Sequence, residues 1–329
     1  MHGVIHLLIQ SAHLKYEMTF YRNITILKGD SATGKTTLVD MIQEYNLNGA
    51  DTGINLSCDV PCRVLAGNTW MEQLNGIHKS LVFIDEGNRF VAQQEFARAI
   101  QGTDNYYVIV TRESIGNLPY SVTEIYGIRS AGKYSIQEPV YHHMYRIYGD
   151  YNSVDLNETV NLLVEDSNSG YEFFSKASSK DVECISAQGA GNIFGILQAK
   201  SSKANTVIIA DGAAFGAYME KVYQVMLRNK GIQLYLPESF EWLILSSGVL
   251  RDKEIGDILE NPSDYIDCET YISWERYFTH LLTSRTADTY MRYSKSKLNP
   301  AFLQGKIREQ ILKTLPETLR VVFALDASI

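Results

Sequence analysis

Long apolar runs are missing from this sequence. None approaches the roughly 18 residues that a membrane-crossing helix needs, and the first residues lack the basic, apolar and small-residue succession of a secretion signal. A cytoplasmic protein with no membrane partner is the expectation. Excess positive charge is missing as well: 30 Lys and Arg stand against 38 Asp and Glu, a net charge of −8, so no overall basic field marks nucleic acid or an anionic surface as partner. Cysteine is scarce. Of Cys58, Cys62, Cys184 and Cys268 only the first two are close, as C-x-x-x-C, and no His/Cys pair follows to complete a zinc site, so free thiols are expected. No solenoid-length repeat and no low-complexity tract occurs. What remains is an ordinary globular composition, 45% hydrophobic and 21% charged, over 329 residues, which is long for one core and points to two domains.

The stretch Gly29-Asp30-Ser31-Ala32-Thr33-Gly34-Lys35-Thr36 fits the phosphate-loop pattern G-x-x-x-x-G-K-[ST] at every fixed position. Asn23 to Leu27 before it reads as a short buried strand, and Thr37 to Tyr45 after it as a helix. Two glycines let the backbone curl until successive N–H groups and the positive end of the helix point at one anion. Gly29 through Thr37 are thus the expected nucleotide cradle, with Lys35 reaching the β and γ phosphates and the Thr36 hydroxyl on Mg²⁺. ATP and Mg²⁺ are the expected ligands.

A second signal is Ser80-Leu81-Val82-Phe83-Ile84-Asp85-Glu86, an apolar strand ending in two carboxylates. A continuous apolar run suits a parallel strand covered on both faces, and in such sheets chemistry collects at the carboxyl ends. Asp85 is placed to hold the Mg²⁺ shell and Glu86 to polarise the attacking water. Tyr106 to Arg112 repeats the design, with Thr111 and Arg112 as candidates to sense the γ-phosphate. Strands are also expected over 3–10, 17–21 and 63–66, helices over 69–78 and 88–101, and a surface connection over 46–61. Over residues 3–130 the chain resembles P-loop ATPases of the ABC-like or minimal AAA kind, although an LSGGQ-type signature and a clear Gln-loop are missing.

A polar stretch from Gly149 to Ser153 marks a domain boundary, giving 1–155 as a P-loop domain and 156–329 as a second α/β domain with a C-terminal helical segment. Strands at 159–165, 182–186, 206–211 and 232–236 alternate with helical stretches, which predicts a parallel sheet. An acid after the first strand, a Gly-rich second turn and an acid after the third resemble a topoisomerase–primase (Toprim) domain. Joined to an upstream ATPase, the pattern is similar to the OLD family of bacterial defence nucleases. The resemblance implies metal-binding roles for Glu165 and Asp211, and further catalytic roles for Glu241 and Lys297. It also implies DNA or RNA as a partner of the second domain, and self-association or a partner protein in an anti-phage complex. One departure stands out: Ala213 occupies the position of the second acid of D-x-D, and two-metal cleavage needs enough carboxylates to hold both cations. From 285 to 308 the chain is locally basic, a candidate phosphate-tracking surface. Two readings follow, an ATP-dependent nuclease and a regulatory or scaffolding ATPase whose second half is a non-catalytic interaction module.

Overall fold

The computed structural model describes residues 1–29, 33–131, 139–149, 160–199 and 205–323. The chain forms two units, Met1–Gly149 with Asn261–Ser273, and Asp150–Glu260 with Trp274–Ile329.

In the first unit the strands are β1 (Ile5–Gln10), β2 (Leu14–Phe20), β3 (Ile24–Leu27), β4 (Asn55–Cys58), β5 (Cys62–Val64), β6 (Leu81–Ile84), β7 (Tyr106–Val110), β8 (Ile125–Ala131) and β9 (Val140–Arg146). They make one sheet in the order β4-β1-β2-β9-β8-β3-β7-β6-β5. From β8 to β5 all neighbours are parallel. Every residue of β3, β6 and β7 is buried, as strands covered on both faces require. The other half is not the parallel sheet expected from the sequence. β1 pairs antiparallel with β2 and β4, β8 pairs antiparallel with β9, and only β2 and β9 run parallel. The cause lies in short local connections. Ser11 Oγ accepts the amides of His13 (3.3 Å) and Leu14 (3.2 Å), turning β1 straight into β2. Alternate residues of β1 then face inward, the period-2 pattern of a sheet with one covered face.

Helices α1 (Lys35–Asn48), α2 (Trp70–Leu74) and α3 (Gln94–Ala99) belong to this unit. The single helix expected over 88–101 is broken into a tight turn at Arg89–Ala92 and α3, with Gln93 extended between them. Asn117 Nδ2 donates to the carbonyls of Val91 (3.0 Å) and Gln93 (2.8 Å), so a loop takes up acceptors that a continuous helix would use itself. Trp70 stacks on Phe90 at 5.0 Å and meets Phe96 edge-on, sealing this side of the sheet.

Segment 261–273 returns to the first unit after the chain has built much of the second. Cys268 N–H donates to Met1 O (3.0 Å), Gly3 N–H donates to Ser263 O (2.6 Å), and buried Asn23 donates its amide to Ile272 O (3.0 Å). The sequence boundary near 155 carries no sign of this return.

The second unit holds β10 (Val160–Val164), β11 (Glu183–Ser186), β12 (Asn205–Ile209) and β13 (Ile232–Tyr235), parallel throughout in the order β11-β10-β12-β13. Its helices are α4 (Ser169–Ala177), α5 (Ala190–Ala199), α6 (Gly216–Arg228), α7 (Phe240–Ser246), α8 (Lys253–Glu260), α9 (Trp274–Thr286), α10 (Gly305–Leu312) and α11 (Glu317–Arg320). Phe173, Phe174 and Phe240 close on one another with ring centres 5.2–5.6 Å apart, locking α4 to the start of α7. The molecule is therefore α/β, with a large mixed sheet and a second, parallel one. Among the described residues no helix is long and apolar enough to cross a membrane.

Asn23→Ala tests the tie to 261–273. It leaves the Ile272 carbonyl without its buried donor, so urea unfolding is expected to show a loss of about 1–3 kcal/mol. An unchanged midpoint and slope would mean that the returning segment is held by its other contacts alone.

Candidate functional site

β3 ends at Leu27, and α1 begins at Lys35. Of the expected cradle, Asp30, Ser31 and Ala32 lie outside the described residues; Gly29, Thr33, Gly34, Lys35, Thr36 and Thr37 lie within them. Gly34 stands at φ +86°, a left-handed conformation costly for any side chain. Its place is also sterically closed, because an added Cβ would come within 2.7 Å of Tyr16 Oη. That hydroxyl donates to Gly34 O at 2.9 Å, and the Tyr16 ring stacks on His142 at 4.6 Å. Tyr16 on β2 and His142 on β9 thus brace the loop from the antiparallel half of the sheet. The sequence reading missed both, since only the strand pairing shows which residues lie under the loop. Burial, with His143 close by, lowers the His142 pKa and favours the neutral ring.

Lys35 is buried, and its ammonium donates to Gly29 O (3.0 Å) and Thr33 Oγ1 (2.7 Å), folding back over its own loop. Gly34 gives α1 no side-chain cap and the first turn holds no acid, which leaves the positive helix end to an incoming anion. Thr36 and Thr37 are exposed at that end. Thr36 Oγ1 lies 3.4 Å from Asp85 Oδ1, although 49 residues separate them. β7 lies between β3 and β6. The loop and the acid-ended strand are therefore one strand apart, with the end of β7 between them. Burial first, then the nearby Asp40 and Glu86 charges, raise the Asp85 pKa. A cation at this point would relieve that repulsion. A hydroxyl and one carboxylate fit Mg²⁺, which takes few protein ligands and fills its octahedron with water and phosphate oxygens.

Glu86 is exposed and ion-paired with Arg112 Nε at 2.7 Å. Thr111 Oγ1 is instead turned into its own bend, donating to Glu113 O (3.0 Å) and accepting Glu113 N–H (3.1 Å). Of the two candidates on this strand, Arg112 is the one that meets the acids. A cavity of about 540 Å³, lined by Asp85, Glu86, Arg89, Thr111 and Arg112 among others, opens beside them.

In the second unit Glu165 follows β10, Asp211 follows β12, and Glu241 sits in the first turn of α7 after β13. Parallel strands bring all three to one edge. Glu165 and Glu241 are engaged within the protein. Glu165 Oε2 accepts the Asp211 N–H at 2.8 Å, and the Ala190 amide at the start of α5 also donates to Glu165. Asp166 accepts the amides of Asn168 and Gly170 and so caps α4. Buried Glu241 accepts the Tyr293 hydroxyl at 2.7 Å. Two groups that the sequence did not assign to this cluster complete it: Glu275, at the start of α9, and Lys295, from the basic stretch 285–308. The Lys295 ammonium is bonded to Glu275 and lies 3.9 Å from Glu241. Burial works against its charge, but Glu241, Glu275 and Asp211 hold its pKa above the usual lysine value. The expected lysine, Lys297, is exposed two residues further on. Asp211 is raised well above the ordinary carboxylate range by burial first, then by Glu275, Glu165 and Glu241. Only a water-sized cavity of about 10 Å³ remains among Glu165, Asp166 and Asp211.

This donor set does not fit a divalent cation. Ala213 is buried with no carboxylate to offer, the acids are bonded to amides, Tyr293 and Lys295, and among the described residues no three His, Cys, Asp or Glu side chains converge as a metal requires. The basic stretch is also partly neutralised. Arg285 pairs with Asp252 and Glu254 and Lys295 with the acid cluster, while Arg292, Lys297, Lys306 and Arg308 are exposed.

Asp211→Asn tests the repulsion. An acid lifted by burial and like charge costs folding free energy once the unfolded carboxyl ionises, above about pH 3.9, and nothing below it. The variant is expected to gain about 3 °C in Tm at pH 8, on the order of 1 kcal/mol, with the gain shrinking toward zero at pH 3. Destabilisation at pH 8 would contradict this charge balance.

No family model matches the chain, and no curated protein matches it at a significant level.

Proposed function

We propose that the first unit binds and hydrolyses ATP with Mg²⁺, and that the second is a Toprim-like domain that engages DNA or RNA, as in the bacterial defence effectors that the sequence resembles. The observation that carries the first part is the meeting of Thr36 and Asp85 across 49 residues, beside an uncapped helix end and a lysine folded over its loop. Mg²⁺, when bound, would screen the phosphate charge. Lys35 donates to the neutral Gly29 O and Thr33 Oγ1, phosphate oxygens make stronger, charge-assisted bonds, and its ammonium is within the same loop to reach the β and γ phosphates. Glu86 serves as general base toward water, and Arg112 lies beside it. Their exposed pair contributes less than about 1 kcal/mol, so a triphosphate competes with it readily. Tyr16 and His142 keep the loop in shape.

For the second unit, acids following successive strands of a parallel sheet support the Toprim-like reading, and exposed Arg292, Lys297, Lys306 and Arg308 are cations that can meet a nucleic-acid backbone. A second reading is favoured by the engaged carboxylates and by Ala213: a regulatory or scaffolding ATPase whose second unit is a non-catalytic interaction module. Incubating the purified chain with plasmid DNA or RNA and Mg²⁺ or Mn²⁺ separates the two. Cleavage that is lost in Glu165→Gln supports the nuclease, and binding without cleavage supports the module.

Two substitutions test the ATPase. Lys35→Ala is expected to abolish nucleotide binding measured by calorimetry, and an unchanged affinity would sink the assignment. Glu86→Gln is expected to keep binding while slowing turnover about a hundredfold, the range for loss of a general base. Turnover at the wild-type rate would place the base elsewhere.

A further inference from the structure

The loop between α9 and α10 in the second unit has an inner and an outer side. Met291, Tyr293 and Leu298 are buried, while Tyr290, Arg292, Ser294, Ser296 and Lys297 are exposed between them. The inner side is fastened at several points. The Tyr293 hydroxyl donates to buried Glu241 (2.7 Å) and meets Ser169 Oγ (2.8 Å), the Tyr293 N–H donates to Thr286 Oγ1 (2.9 Å), and Lys295 is ion-paired with Glu275. The outer side is held by one side chain. Asn299 Nδ2 donates to the carbonyls of Tyr290 (3.0 Å) and Arg292 (3.1 Å), and its Oδ1 accepts the Ala301 N–H (3.0 Å). The Arg292 N–H closes a turn on Thr289 O at 3.1 Å, with Tyr290 inside the turn. The loop is thus ordered in advance, which leaves little ordering for a ligand to impose. Tyr290 is 70% exposed, more than any other aromatic side chain among the described residues. Arg292 and Lys297 beside it are exposed too and, unlike Arg285 and Lys295, make no ion pair among the described residues. α10 follows with exposed Lys306 and Arg308, and Asp288 is the one acid from 285 to 308.

We propose, resting on the nucleic-acid reading of the second unit, that this loop is a docking surface for single-stranded nucleic acid, with an unpaired base on the Tyr290 ring and backbone phosphates on Arg292 and Lys297. The choice of strand form comes from the aromatic ring. A ring standing on a loop surface stacks only on a base whose face is free, and inside a duplex both faces of every base are covered by its neighbours. Cations alone would hold a duplex or an acidic peptide equally well by charge. Neither would use the Tyr290 face. Arg292, two residues from Tyr290 and tied to it through Asn299, is placed to take the phosphate next to the stacked base, and its guanidinium can fork onto two phosphate oxygens. Lys295 faces inward to Glu275, so its charge serves the fold and not this surface. Neither a stacking face nor a cation reads the sugar, so deoxy- and ribo-strands fit alike and base sequence matters little.

The test measures fluorescence anisotropy of labelled oligothymidine, oligouridine and a DNA duplex, each of about 20 nucleotides or base pairs, longer than common single-strand site sizes. The full chain is used without nucleotide or divalent cation, so that the phosphate loop and metal contribute nothing. Both single strands are expected to bind, at least about tenfold tighter than the duplex. Tyr290→Ala is expected to weaken the single strands about tenfold and leave the duplex unchanged, and Tyr290→Phe to keep the wild-type affinity. Arg292→Ala and Lys297→Ala are each expected to make the slope of log affinity against log salt shallower by about 0.7. All three side chains are exposed, so folding does not depend on them. Equal affinity for duplex and single strands, or wild-type affinity in Tyr290→Ala, overturns this surface and leaves the nucleic-acid reading of the second unit in place. Binding of none of the three, or of a polyglutamate peptide alone, overturns both.

Discussion

A strand covered on both faces can carry polar chemistry only at its ends, and both units are arranged around that constraint. β3, β6 and β7 are buried throughout and apolar apart from Thr25 and the Tyr106 and Tyr107 hydroxyls. Their polar residues are therefore pushed beyond the last ladder bond, where Lys35, Thr36, Asp85, Glu86 and Arg112 gather. β10 and β12 impose the same order on Glu165 and Asp211. The location of each cluster is thus a consequence of packing, and its chemistry depends on what else the tertiary fold brings to the edge.

The two edges differ in how charge is left. At the first, the helix N-terminus has no side-chain cap, Lys35 donates to Gly29 O and Thr33 Oγ1, and the Thr36 hydroxyl meets Asp85. At the second, Glu165, Glu241 and Glu275 already have donors and Lys295 stands among them as a resident cation. The Asp211 carboxyl has no donor in direct contact among the described residues, and burial first, then the charges of Glu275, Glu165 and Glu241, raises its pKa. Keeping acids this close lowers stability, a cost that proteins retain mainly where a site is used.

The antiparallel half of the large sheet has a support role. Tyr16 and His142 come from strands well separated in sequence, and their stacked rings fill the space under Gly34. The phosphate loop therefore rests on the other half of the same sheet. The curl that brings β4 back to β5 encloses α1 in one continuous apolar core. Segment 261–273 adds to the same unit through backbone bonds to Met1, Gly3 and the Asn23 side chain.

Local pattern in the sequence determined the elements whose signal is complete within a few residues: the strand before Gly29 and the helix from Lys35, the acid-ended strand before Asp85, and the four βα units of the second half. Strong apolar runs and fixed spacings mark these without help from distant contacts. β4, β8 and β9 were not legible. β4 lies inside the polar connection expected over 46–61, β8 and β9 lie where no element was expected, and all three become strands because partners supply the other half of each ladder. Only the tertiary structure decided that Lys295 rather than Lys297 meets the acids and that Glu275 joins them. Both residues come from segments far along the chain whose own pattern is that of a solvated helix start and a polar loop. Side-chain proximity across a fold depends on how the sheets curl and how helices dock, and those are set by the whole packed core rather than by any short stretch of sequence.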